Sequence, residues 1–196
     1  MTAPRRGPPR EVRIIGGQWK RSKLPVADLP GLRPTPDRVR ETLFNWLGQD
    51  LDGWRCLDAF AGSGALGFEA ASRGAAVVVL VERERSLVRS LNECRERLGA
   101  NAVKIESADS LAFMRRGSPA SYELVFIDPP FGANLFESAL SAAAPLVVFG
   151  GFVYLEADRA FDDAGVAPLG LAVHRHGRAG AVHFHLLQRT ADSTIA

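Results

Sequence analysis

Two short segments hold residue types that could do chemistry together. The first is Asp128-Pro129-Pro130-Phe131, which follows the apolar run 124–127. An amino group on a purine is planar and its lone pair is spread into the ring, so it is a poor nucleophile. An aspartate that accepts one N–H and a rigid carbonyl that accepts the other favour a pyramidal nitrogen and stabilise the charge that develops there. Two prolines stiffen the backbone, and Pro129 brings a carbonyl with no amide hydrogen to compete. Phe131 adds a face on which an extruded base can stack, worth about 1–3 kcal/mol. Asp128, Pro129, Pro130 and Phe131 are therefore the candidate catalytic residues. The plainer alternative is a strand-ending turn in which Asp128 caps a helix and Phe131 is core.

The second segment is 58–67, DAFAGSGALG. Its glycines 62, 64 and 67 match the G-x-G-x-x-G spacing, and Glu82 stands 20 residues after Gly62. That spacing makes a tight turn, lets backbone approach a ligand, and sets an acid within reach of a ribose hydroxyl. The same geometry serves nicotinamide-dependent enzymes and enzymes that bind S-adenosyl-L-methionine. Asp58 favours the second, because a carboxylate beside the loop repels a pyrophosphate and attracts the methionine ammonium. A nicotinamide-dependent oxidoreductase stays as the competing class, but it leaves Asp128–Phe131 without a role. No metal is expected in either case.

These residues need a scaffold that brings positions 58, 82 and 128 to one edge. From residue 55 the chain alternates strand and helix. Strands are expected at 55–60, 75–82, 102–107, 122–128 and 151–157, and helices at 65–72, 85–98, 109–116 and 135–144. Segments 172–176 and 182–188 read as a closing hairpin. The fold class is α/β: a mainly parallel, doubly wound sheet with an antiparallel pair at its end. Ligands in such sheets sit at the carboxyl ends of the strands, where both segments fall. Before this, short strands are expected at 12–15 and 18–24. A Pro/Gly-rich stretch follows, then a helix from 36 to about 47 with Thr35 as its N-cap and Pro36 at the first helical position.

Charge is unevenly spread. Residues 1–40 hold 10 Lys/Arg against 3 Asp/Glu, a net of +7, and the rest hold 14 against 19, a net of −5. A basic arm on a mildly acidic body suits a grip on a phosphate backbone. Arg13, Lys20, Arg21, Lys23, Arg33, Arg38 and Arg40 are the candidate RNA contacts, against the alternative of solvated surface charges. His174, His176, His183 and His185 form two H-x-H pairs whose alternation places each pair on one face. No acid or cysteine joins them, so they are not read as a metal site. Cys56 and Cys94 lack ligand spacing and read as reduced thiols. No run approaches the ~18 apolar residues of a membrane span, and no signal peptide is visible, so a cytoplasmic protein is expected. No apolar stripe is left over for an interface, so a monomer is expected.

With these residues in place, FAGSGALGFEAASRGA and DPPF resemble the RsmD-type small-subunit ribosomal RNA (guanine-N(2))-methyltransferases. RIIGGQWKRSKLP, LRPTPDRVRETLFNWL, Tyr154-Leu-Glu156 and HGRAGAVHFHLLQR extend the likeness from about residue 13 to 189. The resemblance implies a class I, Rossmann-like methyltransferase fold with a seven-stranded sheet. It implies methylation of a guanine 2-amino group in 16S ribosomal RNA, within an assembled or partly assembled small subunit. By motif position Asp58, Phe60, Gly62, Ser63 and Gly64 would line the cofactor pocket, Glu82 would hold the ribose, and Asp109 would sit near the adenine. Ala108-Asp109 lacks the glycine common before this acid. The implied domains are a disordered basic leader (1–11), an RNA-contacting extension (12–50), the methyltransferase domain (51–189) and a frayed tail (190–196). The chemistry of Asp128–Phe131 alone does not separate guanine from an adenine 6-amino group in RNA or DNA. A non-catalytic RNA-binding assembly factor on the same fold is the remaining alternative.

Overall fold

The run VVVLVE is apolar at every position but the last, the pattern of a strand covered on both faces. It forms β4 (Val77–Glu82), inside a seven-stranded sheet. The computed structural model describes residues 11–27, 29, 34–130 and 135–190. Expectations for residues 1–10 and 191–196, and for Arg33 and Phe131, lie outside the described residues.

Strand β3 (Arg55–Asp58) pairs in parallel with β4 and with β6 (Tyr122–Ile127). Outward from β4 lies β5 (Val103–Ser107), and outward from β6 lies β7 (Val147–Ala157). The hairpin strands β8 (Leu171–Ala179) and β9 (Val182–Arg189) close the sheet, β9 running antiparallel to β7, in the order β5-β4-β3-β6-β7-β9-β8. The order reverses between β3 and β6, so the crevice of this sheet opens at the carboxyl ends of those two strands.

Helices α1 (Asp37–Trp46), α2 (Ala65–Ser72) and α3 (Arg85–Leu98) cover one face. On the other lie α4 (Ser110–Arg116), α5 (Phe136–Ala143) and the short α6 (Asp163–Val166). Helix α2 is buried at all eight positions, Glu69 included. The N-terminal extension covers it: the two-stranded ribbon of β1 (Glu11–Arg13) and β2 (Lys23–Pro25) and helix α1 share its apolar cluster through Val12, Ile14, Leu24 and Leu43.

Several expectations are corrected. Residues 18–21 are turn rather than strand, because Gly17 and Arg21 take positive φ (72° and 73°) and reverse the chain before Lys23. Thr35 does not cap α1; Pro36 occupies that position without a side-chain bond, and the Thr35 hydroxyl turns inward to Glu156. In β8 a bulge between Val173 and Arg175 breaks the alternation expected of the histidines. His174 lies against Phe152, whereas His176 stacks on His185, with His183 bonded to it at 3.0 Å. Among the described residues no helix is long and apolar enough to cross a membrane, and no group of ligands fits a metal.

Candidate active site

The loop after β3 is built to hold its shape without a ligand. Gly62 and Gly64 take φ of 53° and 78°, conformations that a side chain strains, and Gly64 opens α2. A Cβ at Gly67 would press into Leu80 and come within 3.2 Å of Asp58 Oδ2, so this helix sits close on the sheet because position 67 has no side chain. Asp58 is buried and accepts the Gly67 amide at 3.0 Å. Burial pushes its carboxyl up to about 7, against the pull of that bond.

Glu82, ending β4, ties the loop to the next strand. Its Oε2 accepts Gly62 N at 3.0 Å and its Oε1 accepts the amides of Arg83 and Glu84, each at 2.8 Å. Each carboxylate oxygen accepts about two bonds, so Oε2 keeps one site for a hydroxyl. Asp109 caps α4 through Oδ1, which accepts Ala112 N at 2.9 Å. Ser63 is buried beside the loop. Phe60 is half-buried and packs on the α4–α5 side of the sheet.

Asp128 follows β6 directly, half-buried, with Pro129 buried and Pro130 exposed. Strand alternation puts Asp128 on the same face as Asp58, and the Ile127–Leu155 register puts it level with Glu156 of β7. Glu156 is the residue that motif reading did not single out. The signal was present in the alternation Tyr154-Leu-Glu156, which places an acid on the strand beside Asp128. Its Oε1 accepts the Thr35 hydroxyl at 2.6 Å and the Tyr154 hydroxyl at 2.9 Å. Three acids thus line one face, and among the described residues no ion pair includes any of them. Burial first, then Glu156 and Asp58, raise the Asp128 carboxyl well above the usual range. Burial raises Glu156 too, with the Thr35 and Tyr154 hydroxyls pulling it back. Buried acids without counter-charges are costly. The donor set therefore fits a cationic ligand such as a sulfonium or ammonium, and it opposes a pyrophosphate.

The basic residues divide. Arg13, Lys20, Arg21, Lys23 and Arg38 are exposed, although Lys23 is paired with Glu11 at 2.7 Å. Arg40 is not available to RNA. It is fully buried, with Nη1 at 3.2 Å from Glu69 and Nη2 at 2.6 Å from Asp37. Helical spacing places position 40 beside Val39 and Leu43, and the buried acid of the two that it meets, Glu69, is 29 residues away.

The family described as conserved hypothetical protein 95 matches residues 12–188. Ribosomal RNA small subunit methyltransferase D of Escherichia coli strain K12 is 40% identical over 195 residues, covering 98% of this chain and 97% of its own. The solved structure of yhhF from Escherichia coli is 37% identical with a TM-score of 0.81, covering 93% of this chain and 99% of that one. At 11% identity and a TM-score of 0.63, a Burkholderia thailandensis 1,6-didemethyltoxoflavin-N1-methyltransferase with bound S-adenosylhomocysteine shares the fold, over 79% of this chain and 78% of that one.

Proposed function

The chain belongs to the conserved hypothetical protein 95 family, the RsmD family of ribosomal RNA methyltransferases, and from its site we propose that it methylates the 2-amino group of a guanine in small-subunit RNA. It is an enzyme that uses S-adenosylmethionine as methyl donor. The observation that carries the reading of the site is the adjacency of β3 and β6, which brings Asp128-Pro129-Pro130 beside the glycine loop, with Asp128 on the same sheet face as Asp58.

When bound, S-adenosylmethionine supplies a methyl carbon attached to a cationic sulfur, electrophilic without further activation. Asp58 would face its ammonium, Glu82 would hold the ribose through the free site on Oε2, and Asp109 would take the adenine amine through the oxygen not used in capping. Gly62, Ser63 and Gly64 form the wall, and Phe60 supports the loop from the opposite side. Asp128 accepts one N–H of the target amine and a carbonyl of the proline turn accepts the other. This localises the nitrogen lone pair and stabilises the charge that nitrogen gains. Asp128 then accepts the proton that the alkylated nitrogen sheds. Phe131, by its sequence position, stacks the extruded base.

Arg13, Lys20, Arg21 and Arg38 hold the phosphate backbone, and the substrate is an assembled or partly assembled subunit in the cytoplasm. The enzyme acts as a monomer; among the described residues Phe149 is the one large apolar side chain that is well exposed. Tritiated methyl transfer to small subunits from a strain lacking the activity, followed by nucleoside mass spectrometry, tests the assignment. N2-methylguanosine is expected. N6-methyladenosine overturns the base, and no incorporation overturns the substrate.

A further inference from the structure

Glu156 is 5% exposed and is held by two hydroxyls, both on Oε1. Hydroxyl anchoring alone does not call for an acid, because a glutamine carbonyl would accept the same two bonds without a buried charge. Among the buried side-chain polar atoms of the described residues, only His185 Nδ1 and Arg189 Nε lack a partner. The unbonded Oε2 of Glu156 and the carboxylate of Asp128, which no described donor reaches, are therefore open to solvent at the carboxyl edge of β6 and β7. The register of the last ladder pair, Ile127–Leu155, sets the two acids level on neighbouring strands, whose backbones run about 4.8 Å apart. A pair of neighbouring acceptors fits two neighbouring donors. On guanine the ring N1–H and the 2-amino group are such a pair. Adenine presents a bare N1 lone pair beside its 6-amino group, and a carboxylate there would meet a lone pair with no hydrogen between.

On the footing of the guanine methyltransferase activity above, we propose that Glu156 accepts the N1–H of the target guanine while Asp128 accepts from its 2-amino group, which makes Glu156 the residue that excludes adenine. Thr35 and Tyr154 are its positioning residues. The bond to N1–H also drives electron density toward the 2-amino nitrogen, so it favours attack as well as selection. The Thr35 contact joins the N-terminal extension to the base site, because the hydroxyl that would have capped α1 is spent on Glu156 instead.

The test compares the wild type, Glu156→Gln and Thr35→Val on small subunits reconstituted with guanine or 2-aminopurine at the methylated position. 2-Aminopurine keeps the 2-amino group and lacks N1–H. The wild type is expected to lose about 10- to 100-fold in kcat/KM on 2-aminopurine. E156Q is expected to fall by a similar factor on guanine while its discrimination against 2-aminopurine collapses, since an amide N–H can meet a bare N1. S-adenosylhomocysteine calorimetry shows whether each variant keeps its fold and cofactor site. The pH–rate profile supplies a readout that a structural role leaves unmoved. Removing the like charge in E156Q moves the acid limb to lower pH, and removing a donor in T35V moves it to higher pH. If folded E156Q discriminates like the wild type with an unchanged acid limb, the inference is wrong and the guanine activity stands. If the wild type puts no methyl on guanine, the activity itself fails.

Discussion

Asp128 and Asp58 sit on the same face of neighbouring strands, yet their burdens differ. In the proposed site Asp128 meets the target base, so Asp128→Ala is expected to lower kcat by about 100- to 1,000-fold, with S-adenosylhomocysteine affinity retained by calorimetry. Equal loss of both would show that Asp128 supports the cofactor site instead. Asp58 is proposed to meet the cofactor, and its carboxyl at about 7 has two consequences. Across the interval from ordinary carboxylate values up to about 7, the fold keeps a proton that the unfolded chain has released. More protons on the native state mean that the ligand-free protein loses stability as pH rises through that interval. A cationic ligand reverses the preference. S-adenosylmethionine affinity is expected to rise by up to about tenfold per pH unit below 7 and then level off. Titration calorimetry at several pH values checks this, and Asp58→Asn should flatten the profile. A wild-type profile that is already flat would remove Asp58 from the cofactor site.

At the scale of elements, α2 shows how the extension and the sheet domain become one core. Its central acid, Glu69, accepts Ile15 N and Gly16 N at 2.8 Å each, and pairs with Arg40 and Arg73. Ser72 continues the seam, donating to Gly16 O and accepting Trp19 N. A buried acid held this way is costly to break, because removing one partner leaves the others uncompensated. Arg40→Ala is expected to cost about 3–5 kcal/mol in denaturant unfolding and to open the extension to proteases. Arg38→Ala, two residues away and exposed, should stay within about 0.5 kcal/mol and weaken only subunit binding. Similar stability losses for the two would refute the separation of a structural arginine from an RNA-facing one.

At the scale of the whole molecule, a basic arm with a net +7 over residues 1–40 joins a body of net −5. Among the described residues of that arm, Arg13, Lys20, Arg21 and Arg38 are exposed and are the ones proposed to grip RNA. Binding through phosphates releases counterions, so affinity for small subunits should fall linearly with salt on a logarithmic plot. Each lysine or arginine lost from the grip should reduce the slope by about 0.7–0.9. Filter binding over a salt series with Lys20→Ala and Arg21→Ala measures it. A slope left unchanged by both would place the RNA elsewhere.

Local rules settled most of the frame. The strand–loop–helix order, the limits of α2 and α3 and the glycine loop were legible, because periodicity and glycine conformation act over a few residues. What stayed hidden were partnerships across long stretches of chain. Arg40 looked like a surface cation until Glu69, 29 residues away, was folded under it. Thr35 looked like a helix cap until Glu156, 121 residues away, offered a buried acceptor. Helical spacing and capping preferences describe a residue's neighbours along the chain. Whether a polar side chain is solvated or paired depends on which other charge the packing buries with it, and only the tertiary structure decides that.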